Sequence, residues 1–112
     1  MRAFWDNAAY YTGNMEAYRL TGKAAYYNYS QQWCEHNRWR GANSDDKRNW
    51  KYKTYGEGQD FVLFGDWQIC FQTYIDMYNL NPADYKVARA KEVMTYACHL
   101  DENKFWWWAD AL

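Results

Sequence analysis

"AYRLTGKAAYYNYSQQW", residues 17–33, joins two helical patterns across the three residues Thr21, Gly22 and Lys23. Upstream, Phe4, Ala8, Tyr11, Met15 and Tyr18 recur at three- and four-residue steps and predict a first helix over about 3–20. Gly22 suits the left-handed conformation in which many helices end. Downstream, Tyr26, Tyr29, Trp33 and His36 share one side of a second helix over about 24–39. A connection this short makes the two neighbours antiparallel, so the stretch reads as a helical hairpin.

The arrangement returns in "MYNLNPADYKVARAKEV", residues 77–93: an aromatic at the end of a helix, a short turn, and a Tyr near the start of the next helix. Tyr18 and Tyr78 are 60 residues apart, a longer period than that of a tetratricopeptide unit. The third helix comes from "QDFVLFGDWQICFQTYIDMYNL", residues 59–80, with Ile69, Thr73 and Met77 on one stripe and Cys70, Tyr74 and Tyr78 on the next. Its opening "DFVLF" could form a short strand, but the periodicity that follows favours helix. A fourth helix over about 81–97 takes Asn81 as N-cap and Pro82 as its first residue. Between the hairpins, "RGANSDDKRNWKYKTYGEG" at 40–58 is a long polar loop of the kind that carries function in compact domains. After the link "HLDENK", the stretch "FWWWADAL" at 105–112 opens a fifth helix. The pattern predicts an all-α fold of stacked antiparallel hairpins. Leu112 falls less than two turns into the last element, too short to stand alone as a helix, so the sequence reads as a truncated chain.

Composition narrows the function. The 112 residues fit one ordinary domain. Aromatic residues make up 22% of them, which means either an aromatic core or a cleft that stacks rings against something flat, such as a sugar. The 13 basic and 14 acidic residues give a net charge of −1, and the densest run, "SDDKRNWKYK", mixes both signs. Nucleic-acid surfaces cluster Lys and Arg, so no nucleic-acid partner is expected. No stretch is apolar enough to span a bilayer, and the start lacks the pattern of a secretory signal. That leaves the compartment open. Cys34, Cys70 and Cys98 are widely spaced, and His36 and His99 stand alone. They read as free thiols and isolated imidazoles, and neither a metal nor a cofactor is assigned.

In alternating hairpins the odd-numbered helices share a direction, so their N-terminal ends gather at one mouth. Trp5 with Asp6, Asp66 with Trp67, and Trp106–Trp108 with Asp110 would meet there. Helix N-termini favour anions and depress an aspartate's pKa, whereas indole walls desolvate it and raise the pKa. Asp110, just beyond three indoles, is the better candidate for a general acid, and Asp66 is the natural second carboxyl. The competing reading for each is a cap or dipole partner, which an Asp in a helix's first turn commonly is, Asp6 and Asp66 more so than Asp110. Successive helical residues point about 100° apart, so at least one of Trp106–Trp108 should turn to the core.

"WWWADAL" before an expected helix, "DWQICFQTYIDMY" upstream and "WDNAAYYTGNMEAYRLTG" near the start together resemble the unsaturated glycuronyl hydrolases of glycoside hydrolase family 105, close to family 88. The resemblance covers nearly the whole chain and is weakest over 40–58. It implies an (α/α)6 barrel of six hairpins, of which residues 1–112 would be the first two and the start of the third inner helix. Asp110 then matches the family's catalytic aspartate, with Trp108 as the Trp ahead of it, and Asp66 matches the companion carboxylate. Trp108, Trp67 and Trp5 become candidate substrate contacts. The implied activity is removal of an unsaturated uronic acid from a pectin-derived oligosaccharide, with unsaturated rhamnogalacturonyl hydrolase the best-known case. A proton goes to C4 of the 4,5-double bond and water adds at C5. A noncatalytic helical module that binds glycan or protein is the alternative.

Overall fold

The computed structural model describes residues 2–52 and 57–98. Among the described residues there are four α-helices and no strand: α1 (Trp5–Thr21), α2 (Ala24–His36), α3 (Cys70–Leu80) and α4 (Ala88–Cys98). Single 3-10 turns at Lys47–Asn49, Gly65–Trp67 and Asp84–Lys86 punctuate the connections. The fold is all-α, as the periodicity predicts, and consists of the antiparallel hairpins from which an (α/α)6 barrel is built.

α1 ends where glycine allows it. Gly22 has φ 69°, and its N–H donates to the Tyr18 carbonyl at 2.7 Å. Ring pairs then run in antiparallel order: Tyr18 meets Tyr27 at 5.4 Å near the turn, and Tyr11 stacks on Trp33 at 4.5 Å further along. α3 lies beside α1 in the same direction. Phe4, just ahead of α1, meets Trp67, just ahead of α3, at 4.9 Å edge to face. At the opposite ends of the two helices, Met15 and Tyr18 line a hollow with Asp76 and Leu80. Trp33, Cys34, Cys70, Tyr74, Met77 and Val93 are fully buried between the layers. The Trp33 indole N–H finds the Arg2 carbonyl at 3.1 Å, so its burial leaves no orphan donor.

Three boundaries differ from the sequence reading. α2 stops at His36 because the chain leaves through Arg38 and Trp39, both left-handed with φ 53° and 58°. Each costs roughly 1–2 kcal/mol in a residue with a Cβ. Burial of Trp39 and a 3.0 Å bond from its N–H to the Cys34 carbonyl offset that cost. α3 starts only at Cys70, because the backbone before it serves the long loop: Lys51 N–H donates to the Asp60 carbonyl at 2.8 Å and Leu63 N–H to the Lys51 carbonyl at 3.1 Å. α4 starts at Ala88, and Asn81 is no N-cap. Asn81 closes α3 instead, donating its N–H to the Met77 carbonyl and accepting the buried Lys86 ammonium at 2.6 Å.

The long loop is the joint between α4 and the rest. The guanidinium of Arg89 on α4 is almost wholly buried; it donates to the carbonyls of Ala42 at 2.8 Å and Ser44 at 2.7 Å and lies 5.0 Å over the Trp50 ring. Tyr96, two turns on, meets the same indole at 4.9 Å. α4 therefore docks largely through this loop, and an open groove is left between it and α3.

Candidate active site

The shared direction of α1 and α3 brings their N-terminal ends together, as the Phe4–Trp67 contact fixes. Of the residues expected at this mouth, Asp110, Trp108 and the neighbouring indoles lie outside the described residues. The other four, Trp5, Asp6, Asp66 and Trp67, are placed as follows.

Trp5, in the first turn of α1, is half exposed, with its ring available to solvent. Trp67 is not an open wall: it is 3% exposed, because Phe4 covers it and the 3-10 turn Gly65–Trp67 directs it inward. The reading of Trp67 as a direct sugar contact therefore gives way to a place in the floor beneath the mouth. Its indole nitrogen has no hydrogen-bond partner among the described residues.

Asp66, the middle residue of that turn, is half-buried. Burial alone pushes its carboxyl above the ordinary carboxylate range. No hydrogen bond or ion pair among the described residues holds the carboxyl group, so its position is inherited from the backbone of the turn. Asp6 has the opposite environment. It is solvent-exposed, accepts from the Asn7 N–H at 2.9 Å and pairs with Arg2 at 2.8 Å, and those contacts hold it below the usual range. Arg2 also pairs with Glu57. Two aspartates at neighbouring helix starts are thus driven apart in acidity, one by desolvation and the other by donors.

The groove between α1, α3 and α4 begins at this turn. It has a volume of about 490 Å³, and Thr12, Gly65, Phe71, Gln72, Ile75 and Met94 line it. Gly65 at its end is adjacent to Asp66. An apolar wall carrying the amides of Gln68 and Gln72 suits a ring-shaped ligand with polar rim groups. Among the described residues no three His, Cys, Asp or Glu side chains converge to hold a metal ion, and no helix is long and apolar enough to cross a membrane.

The sequence reading missed the two buried cations, Lys86 and Arg89. A signal was available, since Arg89, Val93 and Ala97 recur at four-residue steps along the buried stripe of α4. A charged residue in such a stripe marks a buried partner set.

The family model described as Glycosyl Hydrolase Family 88 matches residues 1–112. Two solved structures are closely similar. A polysaccharide lyase shares 64% identity and a TM-score of 0.90 over 98% of this chain and 31% of that one. A glycosyl hydrolase family 88 protein from Bacteroides vulgatus shares 52% identity and a TM-score of 0.90 over 95% of this chain and 30% of that one. The chain thus spans about a third of the length of these solved chains. No curated protein of matching sequence was found.

Proposed function

The chain belongs to glycosyl hydrolase family 88, and from that membership we propose that it forms part of a hydrolase domain acting on oligosaccharides that end in an unsaturated, 4,5-ene uronic acid. In this reading residues 1–112 supply the first two hairpins of an (α/α)6 barrel and the start of the third inner helix. The finer assignment, to the rhamnogalacturonyl hydrolases of family 105 acting on pectin-derived fragments, rests on "WWWADAL" and "DWQICFQTYIDMY".

Asp110, protonated, delivers its proton to C4 of the vinyl ether. Water, oriented with the help of Asp66, adds at C5. The hemiketal so formed opens, and the neighbouring sugar leaves from C1. Trp108 and Trp5 stack on the sugar, with Trp67 as the floor beneath them. The chemistry consumes one water and needs no cofactor. The observation that carries the reading is Asp66: a half-buried carboxyl, lifted in pKa and without a partner among the described residues, next in sequence to Gly65, which lines the apolar groove.

The similarity to a protein named as a polysaccharide lyase supports a second reading, in which the site eliminates across C4–C5 and creates the double bond. The two reactions change the ultraviolet absorbance of the unsaturated uronate in opposite directions, so one assay separates them. A noncatalytic glycan-binding module is the third outcome. For it, Asp110→Asn changes affinity in the full-length protein and no turnover exists to be lost.

A further inference from the structure

We propose that the strap Arg40–Ser44, held at one end by Tyr74 and at the other by Arg89, is a positioning device for Asp66. The inference rests on the reading of Asp66 as a reacting carboxyl, and it starts from the missing tether. With no side chain among the described residues to orient it, the Asp66 carboxyl goes where the turn Gly65–Trp67 puts it.

Two internal bonds define that turn, from Trp67 N–H to the Phe64 carbonyl at 2.9 Å and from Gln68 N–H to the Gly65 carbonyl at 2.8 Å. Beyond those bonds, the turn is held by the Phe4 ring over Trp67, by the Cys70 thiol and by the strap. Gly41 lies against the Trp67 carbonyl so closely that a Cβ there would fall 2.0 Å from the oxygen. The thiol of Cys70 donates to that same carbonyl at 3.3 Å. Immediately before Gly41, the Arg40 carbonyl accepts the hydroxyl of fully buried Tyr74 at 2.6 Å. Just after it, the carbonyls of Ala42 and Ser44 are both taken by Arg89. The strap also enters through the left-handed pair Arg38 and Trp39, a conformation that persists only where the surroundings over-determine it. Tyr74 and Arg89 therefore reach the carboxyl through one short piece of backbone that they hold at its carbonyls, and touch no substrate themselves. They are positioning residues.

The experiment uses the full-length protein that carries this chain, with an unsaturated rhamnogalacturonan disaccharide as substrate. Tyr74→Phe removes one hydroxyl and keeps the ring packing, so it folds; Arg89→Lys is the second variant, and Asp66→Asn the reference. At a temperature where circular dichroism shows each variant folded, Tyr74→Phe and Arg89→Lys should lower kcat by about tenfold or more while KM stays within about twofold. A purely structural strap would lower Tm and leave kcat of the folded enzyme unchanged. If both variants keep kcat within about twofold of wild type while Asp66→Asn is inactive, the positioning role is wrong and the catalytic reading stands. If Asp66→Asn itself turns over normally, the reading beneath the proposal fails, and the proposal fails with it.

Discussion

Gly41 and Trp67, from opposite ends of the long connection between the hairpins, meet backbone to backbone, with no room for a side chain between them. Gly41→Ala must push the strap off the Trp67 carbonyl, and in the full-length protein it should cost about 3 kcal/mol or more in urea unfolding. Gly13, inside α1, has nothing within 4 Å of where its Cβ would be. Gly13→Ala should therefore stabilise by roughly 0.5–1 kcal/mol. Equal effects of the two substitutions would mean that the contact at Gly41 does not exist.

Arg89 and Asp45 form an ion pair at 3.2 Å, but the two residues should matter very differently. Asp45 is 76% exposed, and Asp45→Asn should cost under about 1 kcal/mol, as exposed pairs do. Arg89→Met strips charged donors from two strap carbonyls and should cost about 3 kcal/mol or more. Chemical denaturation of the two variants tests this ordering, and a larger loss from Asp45→Asn would reverse it.

Burial also governs the thiols. Cys34 and Cys70 are buried and their pKa values rise on desolvation, that of Cys70 to about 12, whereas Cys98 is exposed. A thiolate-directed reagent near neutral pH should modify Cys98 in the native protein and reach Cys34 and Cys70 only on unfolding. Rapid native modification of Cys70, read by mass spectrometry, would place it outside the core.

Asp66 gives a pH dependence whose sign can be worked out. Its folded pKa lies above the ordinary value, so between the two values the native state holds a proton that the unfolded chain has released. The stability this confers is complete below the ordinary carboxylate pKa and is lost as pH rises through the folded one. Asp66→Asn keeps the side chain neutral. It should match wild type at acid pH and melt at a higher temperature near neutral pH. A lower Tm for the variant at neutral pH would show that the ionised carboxylate is stabilised by a contact.

The first hairpin was legible in the sequence because its signals are local: the apolar stripe from Phe4 to Tyr18, and Gly22 at a left-handed terminus. The second hairpin was blurred. "DFVLFGDW" is apolar enough to continue a helix, yet its backbone is claimed by Lys51 from the loop, a partner that no window around residue 61 contains. Asn81 and Pro82 carry the usual signs of a helix start, but the Lys86 ammonium captures the Asn81 carbonyl and delays α4 to Ala88. At the site, the gathering of the α1 and α3 starts followed from helix alternation. The inward turn of Trp67 did not, because it depends on Phe4 and Gly41 arriving from elsewhere in the chain.

The most direct measurement follows the ultraviolet absorbance of an unsaturated rhamnogalacturonan disaccharide mixed with the full-length protein and with its Asp110→Asn variant. The expected result is a steady fall in absorbance with wild type and near-total loss of that fall with the variant, folding intact. A rise in absorbance from intact polysaccharide would assign the lyase reaction instead. An unchanged signal with unsaturated galacturonyl and glucuronyl substrates alike would contradict the proposed hydrolysis.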